Sequence, residues 1–428
     1  MNGIFFAIVL ISFAVAGFHQ ITWIDPGNGA KAPMELLTVA MIDSAAASVT
    51  LAIGMIGVMA LFLGLMKVAE AGGLLVIIAR AMRPLMQRLF PDVPADHPAM
   101  GAMILNLSAN IMGLGNAATP FGIRAMQELD KLNPVKGVAS NAMVLFLAIN
   151  TSSVTIVPTG VIALRAAAGS NDPAGIIPTT LFATIFSTAV AIIVAKACQR
   201  YWPMGAPPSA AEPQTAPPIV SPDIGGADAA YPTWASFALL GAVVALIPLT
   251  IAYGHQIAPW IIPGLMVGFL GFGAARKVQV YEAFVEGAKD GFEVALRIIP
   301  YLVAILVAVG MFRAGGAMDM LVTPLSVITT PLGLPAEALT MALMRTLSGS
   351  GAYGLLASIV NDPAIGPDSY LGYLAGTIQG STETTFYVLA VYFGAVNVRR
   401  IRHALAAGLC ADLAGVIGSM AICLYLYG

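Results

Sequence analysis

PAMGAMILNLSANIMGLGNAATP, residues 98–120, begins as an apolar helical run and ends in residues that oppose a helix. Asn106, Asn110 and Gly113 recur at i, i+4 and i+7, which places them on one helical face. Gly113, Gly115, Asn116, Thr119 and Pro120 then argue against continuation, because glycine permits unusual dihedrals and proline removes a backbone donor. A helix interrupted inside a membrane bares backbone dipoles, and this is tolerated only where the break is buried in protein or lines a cavity. Two readings follow for Asn106 and Asn110: they bridge neighbouring helices, or they contact an ion or polar solute. A hinge needed only for folding is a third.

The rest of the chain makes a membrane setting compelling. It has 428 residues, 58% hydrophobic and only 10% charged, with a mean hydropathy of +0.85, whereas soluble domains carry about 25% charged residues. Apolar runs at 3–18, 48–66, 174–195, 235–253, 257–274, 299–312 and 404–427 approach or reach the roughly 20 residues a crossing needs. Runs this long and continuous favour helices over barrel strands, so an all-α polytopic integral membrane bundle is expected. The start, MNGIFFAIVLISFAVAGF, has no basic region before its apolar run and is read as a first crossing, not a cleaved signal.

Residues 201–231 break the pattern with seven prolines among small and acidic residues, the composition of an extended linker. The chain thus divides into 1–200, a linker at 201–231, and 232–428. A faint duplication relates the halves. Glu70-Ala71-Gly72-Gly73 pairs with Arg313-Ala314-Gly315-Gly316, Leu107 to Asn110 with Leu347 to Ser350, and Asn150 to Ser153 with Gln379 to Thr382. Residues 235–253 have no evident first-half counterpart, and the relative orientation of the halves is left open. Repeats of this kind occur in secondary transporters, with the site between them.

Each half also carries polar residues within apolar stretches. LTMALMRTLSGSGAYGLLASI, 339–359, holds Arg345 beside Ser348 and Ser350. An arginine there costs about 3 to more than 10 kcal/mol unless paired or hydrated. A salt bridge to Glu383 or Glu70, snorkelling to a boundary, and contact with an anionic solute are the alternatives. TIQGSTETTFYVLAVYFGAV, 377–396, surrounds Glu383 with Gln379, Ser381, Thr382, Thr384 and Thr385. Such a carboxylate could bind a cation, carry a proton or neutralise an arginine. FLAINTSSVTIVPTGVIALR, 146–165, has the matching notch in Asn150, Thr151, Ser152, Ser153 and Thr155, with Val154 aligned to Glu383. VYEAFVEGAKDGFEVALR, 280–297, reads as an interfacial helix with a solvated face.

Basic clusters at Arg80, Arg83 and Arg88, at Arg276 and Lys277, and at Arg399, Arg400, Arg402 and His403 would all prefer the cytoplasmic side. A net charge of −2 without a basic block gives nucleic-acid binding no support. Cys198, Cys410 and Cys423 lack disulfide or metal-ligand spacing, and GxxxxGK[ST], HExxH and GxSxG are absent. No enzyme activity, metal or cofactor is expected.

Longer motifs carry a family resemblance. LMKVAEAGGLL at 65–75 and the stretch from Arg88 to Asn133 resemble the spore maturation protein A family. Residues 277–322, ALMRTLSGSGAYG and 366–396 resemble the spore maturation protein B family, with Thr346 where that family usually has proline. Both families are similar to the wider Gate or nucleoside-recognition group, which includes parts of concentrative nucleoside transporters and the membrane portion of ferrous-iron transporters. The resemblance implies a small-solute permeation or gating module, the two families normally acting together.

The expected function is therefore a bacterial inner-membrane permease for a small solute, nucleoside-like or anionic, with a coupling cation or proton. A nontransporting scaffold in envelope or spore maturation is the alternative. Lipid is the surrounding partner, and homo-oligomerisation is left open. Asn106, Asn110, Asn116, Thr119, Asn150, Thr151, Arg345, Ser348, Ser350, Gln379, Ser381, Thr382, Glu383 and Thr384 are the candidate site residues.

Overall fold

The computed structural model describes residues 2–25, 30–113, 115–204, 231–317, 320, 324, 327 and 329–428. Most of the linker therefore lies outside the described residues. Among those described, fifteen α-helices form and no strand does, apart from an isolated bridge between Val138 and Arg400. They are α1 (Asn2–Thr22), α2 (Pro33–Ala71), α3 (Leu74–Leu89), α4 (Pro98–Ile111), α5 (Gly115–Leu132), α6 (Asn141–Thr151), α7 (Thr159–Ala167) and α8 (Ile176–Cys198) in the first half. The second half holds α9 (Thr233–Ala275), α10 (Val280–Ala314), α11 (Ala336–Leu347), α12 (Gly349–Val360), α13 (Tyr370–Ser381), α14 (Thr385–Gly394) and α15 (Ala404–Tyr427). Four of the described helices, α1, α2, the α8 region and α15, are individually long and apolar enough to cross a membrane.

Two expectations are corrected here. The runs 235–253 and 257–274 lie in one helix, α9, because the polar residues between them do not interrupt backbone hydrogen bonding. Residues 280–297 are not a separate interfacial helix but the start of α10, which continues through Pro300. The solvated face is real, since Glu282, Glu286, Lys289, Asp290 and Glu293 are exposed. The opposite face carries Gly287 and Gly291, buried against α2: a methyl on Gly287 would meet the Leu63 carbonyl at 2.5 Å, and one on Gly291 the Ala60 Cα at 2.6 Å. Small residues four apart let two helix backbones touch in lipid, where no hydrophobic drive between helices exists.

Those contacts also fix direction. Gly287 meets Gly64, Gly291 meets Ala60, and Gly310 meets Ser44, so α2 and α10 are antiparallel. The last helix of each half behaves alike: Gly418 packs on Ala183, Ser187 donates to the Ala411 carbonyl at 2.7 Å, and Tyr427 to that of Gly175 at 3.2 Å, so α8 and α15 are antiparallel too. Corresponding helices that run in opposite directions make the halves an inverted repeat. The glycine turns match, with Gly73 at φ +83 and Gly316 at φ +77. α1 packs on α10 while α9 packs on α2. The reciprocity matches α1, of 21 residues, to the last part of α9, which has 43 and meets Gly72 and Val68 through Phe272 and Gly273, so the run 235–253 is left without a counterpart in α1.

Between the long helices each half contributes one helical hairpin and one interrupted crossing. α4 folds back on α5, with Asn106 Nδ2 donating to the Ala118 carbonyl at 2.8 Å. α11 and α12 make the equivalent hairpin from the opposite end. Their outer ends meet Leu424, Tyr370 and Arg313, through Gly333 on one side and Asp362 on the other. α6 and α7 are separated by residues 152–158, and α13 and α14 by residues 382–384. The three basic clusters gather at one end of the bundle. Arg402 donates to Asn141 Oδ1 at 2.9 Å, Phe90 and Asp92 at the end of α3 share a crevice with Asn141 and Lys196, and Phe272 in the last turn of α9 packs on Gly72.

The opposite end is riveted by Arg165, whose side chain is wholly buried. It pairs with Asp368 at 3.1 Å, donates to the Pro367 carbonyl at 2.5 Å and lies 4.0 Å over the Tyr373 ring, joining the two halves. Burial pushes the Asp368 carboxyl up, but hydrogen bonds from Ser170 and Asn171 and the Arg165 charge outweigh it and hold the group below the usual carboxylate range. The stabilisation from Asp368 is thus present above the unfolded carboxylate value and is lost as pH falls through the lower folded one. Arg165→Ala is expected to cost about 3 kcal/mol, because it strands buried acceptors. A fall in the melting temperature of purified protein, larger at neutral than at acid pH, checks this.

Candidate functional site

The four interruptions meet at the centre of the bundle. Ile156 N–H donates to the Ile111 carbonyl at 3.0 Å, tying the α6–α7 break to the α4–α5 turn. Glu383 N–H donates to the Thr151 carbonyl at 2.6 Å, tying the α13–α14 break to the end of α6. Arg345, in the last turn of α11, donates through Nε to the Thr382 carbonyl at 2.7 Å and through Nη2 to the same oxygen. Each link satisfies a carbonyl that a helix end leaves without an internal partner.

A cavity of about 420 Å³ opens between them. Asn110, Gly113, Ser153, Thr155, Pro158 and Gly160 line it from the first half, with Met59 of α2; Arg345, Gly349, Ser350, Tyr353, Gln379 and Glu383 line it from the second. The volume is within the range of small-molecule sites. The first turns of α7 and α12 form part of the wall; Thr159 N–H is taken by the Val157 carbonyl and Gly351 N–H by Ser348, while the Gly160, Val161, Gly349 and Ser350 amides precede the first helical acceptor of their helices. Those amides and the Arg345 guanidinium make a region suited to negative charge. Across from them, Glu383 is about half exposed and lies 3.4 Å from Arg345 Nη2. Arg345 and Glu383 therefore both touch each other and face one shared cavity. Glu70, the other acid considered for Arg345, instead pairs with Lys67 at 3.5 Å.

Of the sequence-selected residues, Asn110, Arg345, Ser350, Gln379 and Glu383 line the cavity directly. Asn150 stands just behind Asn110, its Oδ1 accepting from Asn110 Nδ2 at 3.0 Å and from the Tyr392 hydroxyl at 3.3 Å. Asn106 does not reach the cavity: fully buried, it ties α4 to α5 and to Tyr392. Thr119 lies outside the lining as well. Thr151, Ser381, Thr382 and Thr384 are buried and build the interruptions, while Ser348 caps α12 by accepting from Gly351 N–H at 3.0 Å. The Asn116 side chain lies outside the described residues.

Sequence reasoning passed over Tyr353, Tyr392 and above all Asp412. Tyr353 holds Gly160 through a 2.7 Å hydrogen bond from its hydroxyl to the carbonyl, linking α12 to α7 across the cavity wall. Asp412 is a buried carboxylate in the middle of α15. It sits in GLCADLAGVIGSM, the only acidic residue of that 24-residue span, and a lone charge in such a run is the signal that could have found it.

Helical hairpins and interrupted crossings around a central polar cavity, within long apolar helices, define an all-α membrane protein. The chain belongs to the Gate family, described as nucleoside recognition, whose model matches residues 52–168 and 295–399, one stretch in each half and more than half of the chain together. It is 47% identical over 167 residues to spore maturation protein B of Bacillus subtilis strain 168, covering 39% of this chain and 93% of that protein. It is 48% identical over 155 residues to spore maturation protein A of the same organism, covering 36% of this chain and 79% of that protein. These matches are consistent with a fusion of two proteins that are separate elsewhere.

Proposed function

We propose that this chain is a multi-pass permease of the bacterial inner membrane that binds a small anionic solute in the central cavity. The observation that carries the reading is the convergence of four helix interruptions, two from each inverted half, on one polar space that holds Arg345. Interrupted backbone is costly in a membrane unless it lines a cavity, so four breaks at one place argue for a binding function more than for helix association. Arg345 and the first-turn amides of α12 and α7 would hold the negative group. Asn110, Ser153, Thr155 and Gln379 would read the remainder of the solute. The family description favours nucleoside-like solutes, and a phosphorylated nucleoside satisfies both preferences.

Inverted halves that share one site allow alternation between two openings, driven by differential binding to each state. The end that gathers the three basic clusters would face the cytoplasm. Reconstitution into proteoliposomes tests the reading directly, with uptake of labelled nucleosides, nucleoside monophosphates and small organic acids compared against protein-free vesicles. Saturable uptake of an anionic member supports the reading. Absence of flux across the whole panel with folded protein would favour the scaffold alternative.

A further inference from the structure

Asp412 stands on α15 one layer behind the cavity, with only 6% of its surface exposed. Its Oδ2 accepts from the Thr385 hydroxyl at 2.7 Å. Thr385 directly follows the 382–384 break, whose Thr382 carbonyl accepts from Arg345 Nε at 2.7 Å, so the carboxylate and the guanidinium hold one short segment from two sides. Its Oδ1 nevertheless has no partner at hydrogen-bonding distance among the described residues. A carboxylate in such a place is costly unless its charge is paired or removed by a proton.

The local charge arithmetic is uneven. The segment 382–385 carries one cation and two acids: Arg345 on the Thr382 carbonyl, Glu383 at 3.4 Å from Arg345 on the cavity side, and Asp412 on the Thr385 hydroxyl on the buried side. Glu383 is about half exposed, whereas Asp412 is buried. Other groups on the elements around it are remote or neutral. α6 has no ionisable side chain, α8 has only Lys196 and Cys198 at its far end, and α13 has Tyr370 and Tyr373 at the Arg165 end. α14 adds Tyr387, which is exposed, and Tyr392, which is engaged with Asn106 and Asn150. On α15 itself Cys410, Cys423, Tyr425 and Tyr427 are the remaining candidates, and Asp412 is the only acid.

We infer that Asp412 and Arg345 form a protonation switch at the back of the site. With Asp412 ionised, the Arg345 charge is shared with it and is held toward the protein. When Asp412 Oδ1 takes a proton from water, the electrostatic hold on Arg345 is released, and the guanidinium is available to an anion in the cavity. Loss of that proton to the other side recharges the carboxylate and draws Arg345 back. Thr385 keeps Oδ2 occupied in both states, which leaves Oδ1 as the protonation site. In the permease reading, on which the transport consequence rests, a proton and an anion would therefore move together.

Infrared difference spectroscopy of the full chain in lipid vesicles, titrated with pH, tests the switch without knowledge of the solute. Wild-type protein is expected to show the carbonyl band of a protonated buried carboxylic acid that appears as pH falls. Asp412→Asn should lose the band while keeping the helical amide signal, Asp412→Glu should keep a displaced band, and Arg345→Gln and Thr385→Val should each move its midpoint. A band that survives in Asp412→Asn, or a midpoint that is the same with and without Arg345, overturns the inference. In parallel, uptake of labelled adenosine monophosphate is followed with and without an inward proton gradient. A coupled band without any uptake retains the switch and sinks only the permease reading; uptake whose gradient dependence is unchanged in Asp412→Asn sinks the coupling.

Discussion

Arg345→Gln is expected to reduce binding of an anionic solute about a hundredfold. A hydrogen bond to a charged group contributes about 1.5–3 kcal/mol, and about 2.7 kcal/mol is a factor of one hundred. The guanidinium is the only cation that lines the cavity among the described residues, so no other side chain there replaces the charge. Arg345→Lys keeps the charge but loses the planar fork, and Lys Nζ cannot reproduce the paired donors that now reach the Thr382 carbonyl. An intermediate loss is expected for lysine. The same side chain also supports structure, since its removal strands the Thr382 carbonyl and takes the cation from Glu383. Melting temperature and uptake must therefore be measured on the same preparations. Equal losses for an anionic and an uncharged nucleoside would show that the arginine acts only on the fold and would remove it from the binding site.

The sequence placed one break, at Gly113, correctly; Gly115, Asn116, Thr119 and Pro120, which also oppose a helix, lie inside α5 because a new helix starts there, and the other three breaks were legible only as polar stretches. Apolar helix gives way to Gly113, to Ser348, to Ser152 through Pro158 and to Thr382 through Thr384, and each class of residue weakens helical continuation by a known route. The pairing of Asn150 to Ser153 with Gln379 to Thr382 corresponds to two helix ends that face the same space. What the sequence could not supply was depth. Asn106 and Asn110 share a helical face, yet one turn separates a residue locked against α5 from one at the cavity wall. Relative orientation was similarly hidden, because it depends on which surfaces of α2 and α10 meet, and Gly287 and Gly291 look like ordinary small residues until Ala60 and Gly64 are found against them. Asp412 was hidden for a different reason: its sequence neighbours are apolar, and its hydrogen-bond partner, Thr385, comes from another helix.

The inverted arrangement has a chemical asymmetry at its core. The first-half break offers neutral Asn110, Ser153 and Thr155, while the second-half break offers Arg345 and Glu383. Two related scaffolds thus present different chemistry to one space, neutral amide and hydroxyl groups from the first and a cation beside an acid from the second. Under the permease proposal, sliding of one half on the other would change a solute's contacts with each set separately.

Gly113→Ala is expected to be among the most damaging single substitutions in the first half, because two costs coincide there. Gly113 has φ +78, a conformation that costs an L residue roughly 1–2 kcal/mol. An added methyl would also stand 2.5 Å from the Val157 carbonyl oxygen, a backbone atom that cannot rotate away. The neighbouring Ile156 to Ile111 hydrogen bond joins the same two breaks, so relief of the clash must push the α6–α7 interruption off the α4–α5 turn. Gly169 provides a matched control, since it too has φ +78 but has nothing within 4 Å of an added methyl. Gly169→Ala should therefore show the backbone cost alone, and Gly113→Ala that cost plus about 1–3 kcal/mol of overpacking. Thermal unfolding of the two purified variants separates the terms, and uptake measurements add a second reading. Movement of Val157 and Thr155 alters the cavity wall, so Gly113→Ala should lose transport at temperatures where it remains folded, whereas Gly169→Ala should retain it. Equal destabilisation with equal transport in the pair would mean that the two interruptions are not held together by this close approach.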